Sequence, residues 1–216
     1  MAFHAPAEKK VNNPIPNSVY LGVCVGLIDL GTQYNDKFKK REHKILYMWE
    51  LPTLPIKFER DGEEVVAPRV ISKKYTLSLA QKANLFKDIV SWICRPFTDS
   101  EIGKDGKDPE FDFESLLGKN CMLQIMSTDK DGKSYANVTA ILPPYDGVPY
   151  RAPVGEVRVF QLAPGMTASD VPATIPSWIR DIILKSEEIT GKRAGEISAP
   201  VDEPHIPPAT DDDTPF

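Results

Sequence analysis

The chain has 216 residues, 41% of them hydrophobic, with 26 Lys+Arg against 31 Asp+Glu. That is enough for one substantial core and a small appendage, not for a large multidomain enzyme. The formal charge of -5 argues against a purely electrostatic nucleic-acid binder. The 20 prolines, roughly twice ordinary usage, argue against a mostly helical fold.

The longest apolar run, Val19–Ile28, stops at Asp29 and is too short to span a bilayer, so no membrane association is expected. The opening MAFHAPAEKK lacks the apolar stretch of a secretory signal, and none is expected. Cys24, Cys94 and Cys121 are scattered and odd in number, which fits a reducing compartment and gives no disulfide framework. Charge is uneven along the chain. Residues 186–216 hold eight acids and two bases, a net of -6, and the other 185 residues carry +1.

In chain order, residues 1–18 are polar and read as a loose arm. Val19–Ile28 is rich in β-branched residues and predicts a strand, with Gly22 and Gly26 permitting strong coiling. Residues 31–41 form a long basic loop or ribbon. Residues 43–51 predict a second strand, interrupted by Pro52 and Pro55, and 56–67 a hairpin around Asp61-Gly62. Residues 69–77 predict a third strand. Over 79–93 the apolar period becomes helical, with Ser78 as N-cap. Residues 94–112 read as an exposed loop and Phe113–Leu117 as one helical turn. Residues 120–128 and 134–142 predict an antiparallel strand pair. Twelve of the prolines lie between 143 and 216. There, 154–163 predicts one more strand and Ile175–Lys185 a short helix with Pro176 in its first turn. Beyond about Ser186 the chain cannot bury much and is expected to be disordered. Three strands, a helix and two strands predict an all-β fold with one or two helices: an OB-fold, a small five-stranded Greek-key barrel with an extension.

No catalytic constellation stands out, and no metal or cofactor site is expected. GxSxG, HExxH and CxxC are absent. Gly132-Lys133-Ser134 resembles the end of a phosphate loop, but Ser127 occupies the position of the first glycine, so a hairpin turn is the better reading. Asp129 and Asp131 lack the later ligands of a calcium loop. His4, His43 and His205 lie far apart and give no local zinc spacing.

The positive signal is basic groups interleaved with aromatics. Tyr34, Lys37, Phe38, Lys39, Lys40 and Arg41 share the first long loop. Tyr47 and Trp49 share a strand face after Ile45, since strand side chains alternate. Lys73 and Tyr75 share a face, with Lys74 opposite. Arg95 and Phe97 follow the helix, and Tyr135 opens the last barrel strand. Phosphates take Lys and Arg, while unpaired bases stack on rings at roughly 1–3 kcal/mol each. The competing assignment is that Ile45, Tyr47 and Trp49 line the core and Lys37–Arg41 is a solvated loop. A second signal is Asp211, Asp212 and Asp213 followed by Pro215 and Phe216: carboxylates beside a ring, which a basic pocket with an apolar floor can hold.

That acidic tip resembles the tip of bacterial single-stranded DNA-binding proteins, with Thr214 in place of the usual aliphatic residue. VYLGVCVGLIDLGTQYN, KILYMWELP, LLGKNCMLQI and DGKSYANVTAI resemble segments of a bacteriophage single-stranded DNA-binding family over roughly residues 19–145. The resemblance implies an OB-fold domain at 19–145, with an extension at 146–185 packed on it and an acidic tail at 186–216. It also implies sequence-independent coating of single-stranded DNA in replication, recombination and repair, in the cytoplasm of an infected bacterial host. The tip would recruit replication or repair proteins. The alternatives are a single-stranded RNA-binding OB module, a replisome adaptor or inhibitor acting through its tail, and a metal-dependent nuclease.

Overall fold

A computed structural model describes residues 15–60, 63–104, 107–130 and 132–192. Six strands form one sheet: β1 (Ser18–Asn35), β2 (Lys40–Arg60), β3 (Glu63–Thr76), β4 (Asn120–Lys130), β5 (Lys133–Leu142) and β6 (Arg158–Phe160). The helices are α1 (Asn84–Ile93), α2 (Ser177–Ile183) and α3 (Glu187–Thr190), with 3-10 turns at Phe113–Leu116 and Ala168–Asp170.

The hydrogen-bonded order is β3-β2-β1-β4-β5, and β6 joins β1 as a parallel neighbour. β1 carries three pairings. Ser18–Val23 faces β4, Val23–Asn35 faces β2, and Gly26–Ile28 faces β6. Register shifts at Cys24/Gly26 and Asp29/Gly31 bend the strand between these partners. Gly26 lets the strands approach closely at the first bend: a Cβ there would lie 3.1–3.3 Å from the Met48 side chain, which would have to give way.

Alternation puts a separate core on each face of the sheet. Ile45, Tyr47, Trp49 and Leu51 of β2 point one way, with Cys24, Ile71 and Tyr75, and meet Leu85, Ile89 and Trp92 of α1. Leu46 and Met48 point the other way, with Val23, Val25, Ile28 and Leu30. They are covered by Phe160, Val171 and Ile175 and by Ile179 and Ile183 of α2. The segment after residue 143 is thus needed to close the second core. Two buried polar side chains fasten it. Asn120 accepts from Arg151 N–H (2.8 Å) and donates to Arg151 C=O (2.7 Å). Glu50, 4% exposed, accepts from the N–H groups of Val154 and Gly155, each at 2.8 Å.

The expected five-stranded closed barrel is corrected. β3 and β5 approach each other without ladder hydrogen bonds, so the sheet is open, and it has six strands. With two further helices beside α1, the fold is mixed α/β rather than an all-β OB-fold. β3 pairs with β2 from Lys44↔Thr76 out to Arg60↔Glu63. On the far side, α1 packs against both β3 and β5, so a helix and not a ladder joins the two edges. The resemblance to the bacteriophage family therefore does not carry the fold.

Local readings fared better. The strands near 19–28, 43–51, 69–77, 120–128 and 134–142 are present, and the ladder brackets Asp61-Gly62. Pro52 and Pro55 produce a register shift rather than an interruption. α1 starts at Asn84 rather than near Leu79, with Ala83 as its N-cap. Ser78 Oγ instead accepts from Ala80 N–H, holding a turn before the helix. The expected strand at 154–163 shrinks to three residues, and α3 forms where disorder was expected to begin.

Trp49→Ala is expected to cost about 3–5 kcal/mol, the usual cost of emptying a large ring site in a core. A lowered urea midpoint with an unchanged slope would show it. A loss under about 1 kcal/mol would contradict the interior assignment of the ring.

Candidate functional site

The residues expected to share one groove are spread over several places in the fold. Tyr47, Trp49 and Tyr75 are 1%, 0% and 3% exposed. They cluster with Trp92 at centroid distances of 5.8–6.3 Å, and Tyr47 Oη donates to Phe113 C=O. Their faces are occupied by protein, so the expectation that they stack on bases is corrected: they form the first core. Burial pushes both phenols far above the ordinary tyrosine range, and beside Tyr75 the Asp88 carboxylate adds to it. Asp88 accepts at 2.7 Å from both Tyr75 Oη and Lys73 Nζ. Lys73 is therefore committed to α1, and Lys74 is exposed on the opposite face.

At the exit of α1, Arg95 makes a bidentate pair with Glu101 at 2.7 and 2.8 Å. Arg95 holds the Glu101 carboxyl down to about 2. Phe97 lies between Phe86 (5.1 Å) and Phe111 (4.9 Å) against the first core. Tyr135 is half-buried on β5, opposite Thr128.

Of the residues expected to line the groove, those at the β1–β2 tip stay open as a basic aromatic surface. The β1–β2 ladder runs to Asn35↔Lys40, so of the expected loop or ribbon it is the ribbon that forms, a hairpin with a tight turn. The Asn35 side chain accepts from Phe38 N–H (3.3 Å) and donates to Glu42 (2.8 Å), and Lys39 takes a left-handed φ of 52°. Phe38 is 60% exposed with the Lys37 ammonium 5.5 Å from its ring centroid, and Tyr34 is 37% exposed. Lys39 pairs with Asp36 at 3.5 Å, and Lys40 is exposed. Exposed pairs of this kind contribute roughly 0–1 kcal/mol, so the tip is held mainly by its ladder.

One side of this tip is already taken by the chain itself. Arg41 forms a bidentate pair with Glu187 of α3. Glu188 accepts from Thr32 N–H (2.8 Å) and Thr32 Oγ1 (2.7 Å). Gly31 is required here: its φ is 69°, and a Cβ would meet the Glu188 carboxylate at 2.5 Å. His43 stands between two acids, with Nε2 2.7 Å from Asp29 and Nδ1 3.7 Å from Glu188. Asp29 also accepts from Gly31 N–H (2.8 Å) and Leu162 N–H (3.3 Å). None of this was visible in the sequence, where His43, Asp29 and Glu188 are isolated polar residues.

Three further features bear on chemistry. Among the described residues no group of His, Cys, Asp and Glu is arranged to hold a metal ion. No described helix is long and apolar enough to cross a membrane. Cys24 and Cys121 are buried free thiols, and burial pushes Cys24 up to about 12. Gly132 sits in the β4–β5 turn at φ 75°, with strand on both sides, as the hairpin reading of Gly132-Lys133-Ser134 requires. Asp211, Asp212, Asp213, Pro215 and Phe216 lie outside the described residues. No family model and no curated protein matches the chain.

The expected function is corrected with the fold. Coating of single-stranded DNA was assigned to a barrel groove lined by stacking rings. The sheet is open, and Tyr47, Trp49 and Tyr75 are core.

The hydrogen bond to Asp29 raises the His43 pKa above its ordinary 6.5, aided by the charges of Asp29 and Glu188 and opposed by burial. A folded value above the unfolded one means that the His43 contribution is complete below about 6.5 and is lost as pH rises through the folded value. An NMR titration should place the His43 midpoint above 6.5, and Asp29→Asn should lower it. A midpoint unmoved by that substitution would refute the assignment.

Proposed function

We propose that the chain is a non-catalytic recruiting module that presents its acidic segment to a partner protein. The observation that carries the reading is the fixed root of that segment. Glu187 is clasped by Arg41, and Glu188 by Thr32 and His43, so α3 is tied to the β1–β2 face. The acidic stretch follows within a few residues. Asp202, Glu203 and Asp211–Asp213 carry the charge, and Pro215 and Phe216 place a ring beside it.

Charge distribution supports this division of labour. The 185 residues before the acidic end are nearly neutral, at +1, and several of their cations are already paired internally. The acidic end is where uncompensated charge accumulates. A carboxylate cluster with one neighbouring ring is recognised by a pocket with Lys or Arg at its rim and an apolar floor. The proline content of 200–215 limits the conformations that must be lost on capture.

Affinity capture with the full chain, partner identification, and calorimetry with the purified partner test the reading. Phe216→Ala is expected to weaken binding about tenfold or more, as removal of a buried interface ring does. Changing Asp211, Asp212 and Asp213 together to asparagine should weaken it further and remove its salt dependence. A partner held equally well by both variants would overturn the proposal.

A further inference from the structure

A cleft of about 470 Å³ opens between α1, the Phe113–Leu116 turn and the 143–151 loop. Its floor is apolar: Trp92, Phe111 and Leu116, with Pro144 at the side. Its rim is cationic, from Lys119 and Arg95, and no carboxylate lines it among the described residues. This stands out in a chain of net charge -5.

The two rim groups differ in availability. Arg95 is engaged by Glu101 through two hydrogen bonds. Lys119 is exposed and has no ion pair among the described residues. Its backbone is nevertheless rigid. Lys119 C=O accepts from Cys24 N–H (3.0 Å), and the adjoining Gly118 N–H donates to Cys24 C=O (2.8 Å). Across the cleft, Tyr150 is 69% exposed. It is fixed by its hydroxyl on Gly118 C=O (3.2 Å) and by the Asn120 clamp on the next residue. An open ammonium and an open ring are thus mounted on immobile backbone around an apolar floor.

We propose that this cleft binds an acidic segment of a partner protein that carries an aromatic side chain. The ring would enter over Phe111 and against Tyr150, and a neighbouring carboxylate would meet Lys119. A peptide fits better than a polyphosphate chain for a stated reason. A phosphodiester backbone needs a track of successive cations, whereas one free ammonium beside an apolar floor suits one carboxylate beside one ring. Tyr145, 54% exposed on the same loop, extends the surface past the cleft for a chain to lie on. The site is built from residues between Trp92 and Tyr150, and its test uses none of the substitutions that test the recruiting role proposed above.

Calorimetry of the full chain with an acetylated glutamate-rich hexapeptide containing one central phenylalanine tests this. The intact chain should bind. Lys119→Glu and Tyr150→Ala should each weaken binding by up to about tenfold, the scale of one exposed charge contact or one ring contact. Lys119→Arg should retain it. Both side chains are exposed, so unchanged melting temperatures will confirm folding. Amide shift mapping on the unsubstituted chain gives a second readout, expected at Lys119, Tyr150 and the Trp92 indole. Absence of binding, affinity in both variants unchanged from that of the intact chain, or shifts confined elsewhere would overturn the proposal. So would an oligothymidylate that binds at Lys119 more tightly than the peptide.

Discussion

The structure depends on β1 being shared. One strand of 18 residues supplies hydrogen bonds to β2, β4 and β6, and its two faces feed two different cores. A strand buried on both faces must be apolar nearly throughout, which is why Leu21–Leu30 reads as a near-continuous hydrophobic run. It must also bend to serve partners on both edges. The register shifts at Cys24/Gly26 and Asp29/Gly31 provide the bends, and glycine at each keeps neighbouring side chains from colliding.

The described segment 143–192 is positioned from β1 and its neighbours by a small number of polar contacts together with the second core. Asn120 grips the backbone at Arg151, Glu50 at Val154 and Gly155, and Asp29 reaches Leu162. A buried carboxylate or amide without such partners would cost free energy, so each contact specifies one path for the chain as well as stabilising it. α2 then covers the second sheet face, and α3 comes to rest against Thr32, Arg41 and His43. The two candidate surfaces follow from this routing. α3, which precedes the acidic segment in sequence, sits beside the β1–β2 tip, and the 143–151 loop forms one wall of the Lys119 cleft.

Charge is handled in the same way. Lys73 with Asp88, Arg95 with Glu101 and Arg41 with Glu187 are pairs between residues 6 to 146 apart in sequence. Several cations that look available in a linear reading are spent on holding elements together. Among those that stay exposed are Lys37 at the hairpin tip, beside Phe38, and Lys119.

By itself the sequence determined the strands, because period-2 alternation and turn residues are local properties. Ile45, Tyr47 and Trp49 had to share a face, the Asp61-Gly62 hairpin had to fold back, and the apolar period had to turn helical before Trp92. It also determined that charge is concentrated after Ser186. Tertiary structure decided which face was interior. Alternation groups Tyr47 with Trp49 but does not say whether α1 or solvent covers them, and α1 does. It decided that the sheet stays open, since closure depends on whether the edges of β3 and β5 meet, and α1 packs against both. It alone brought His43 to Asp29 and Glu188, and set Lys119 across from Tyr150, because those contacts join residues 14 to 145 positions apart whose neighbours carry no shared pattern.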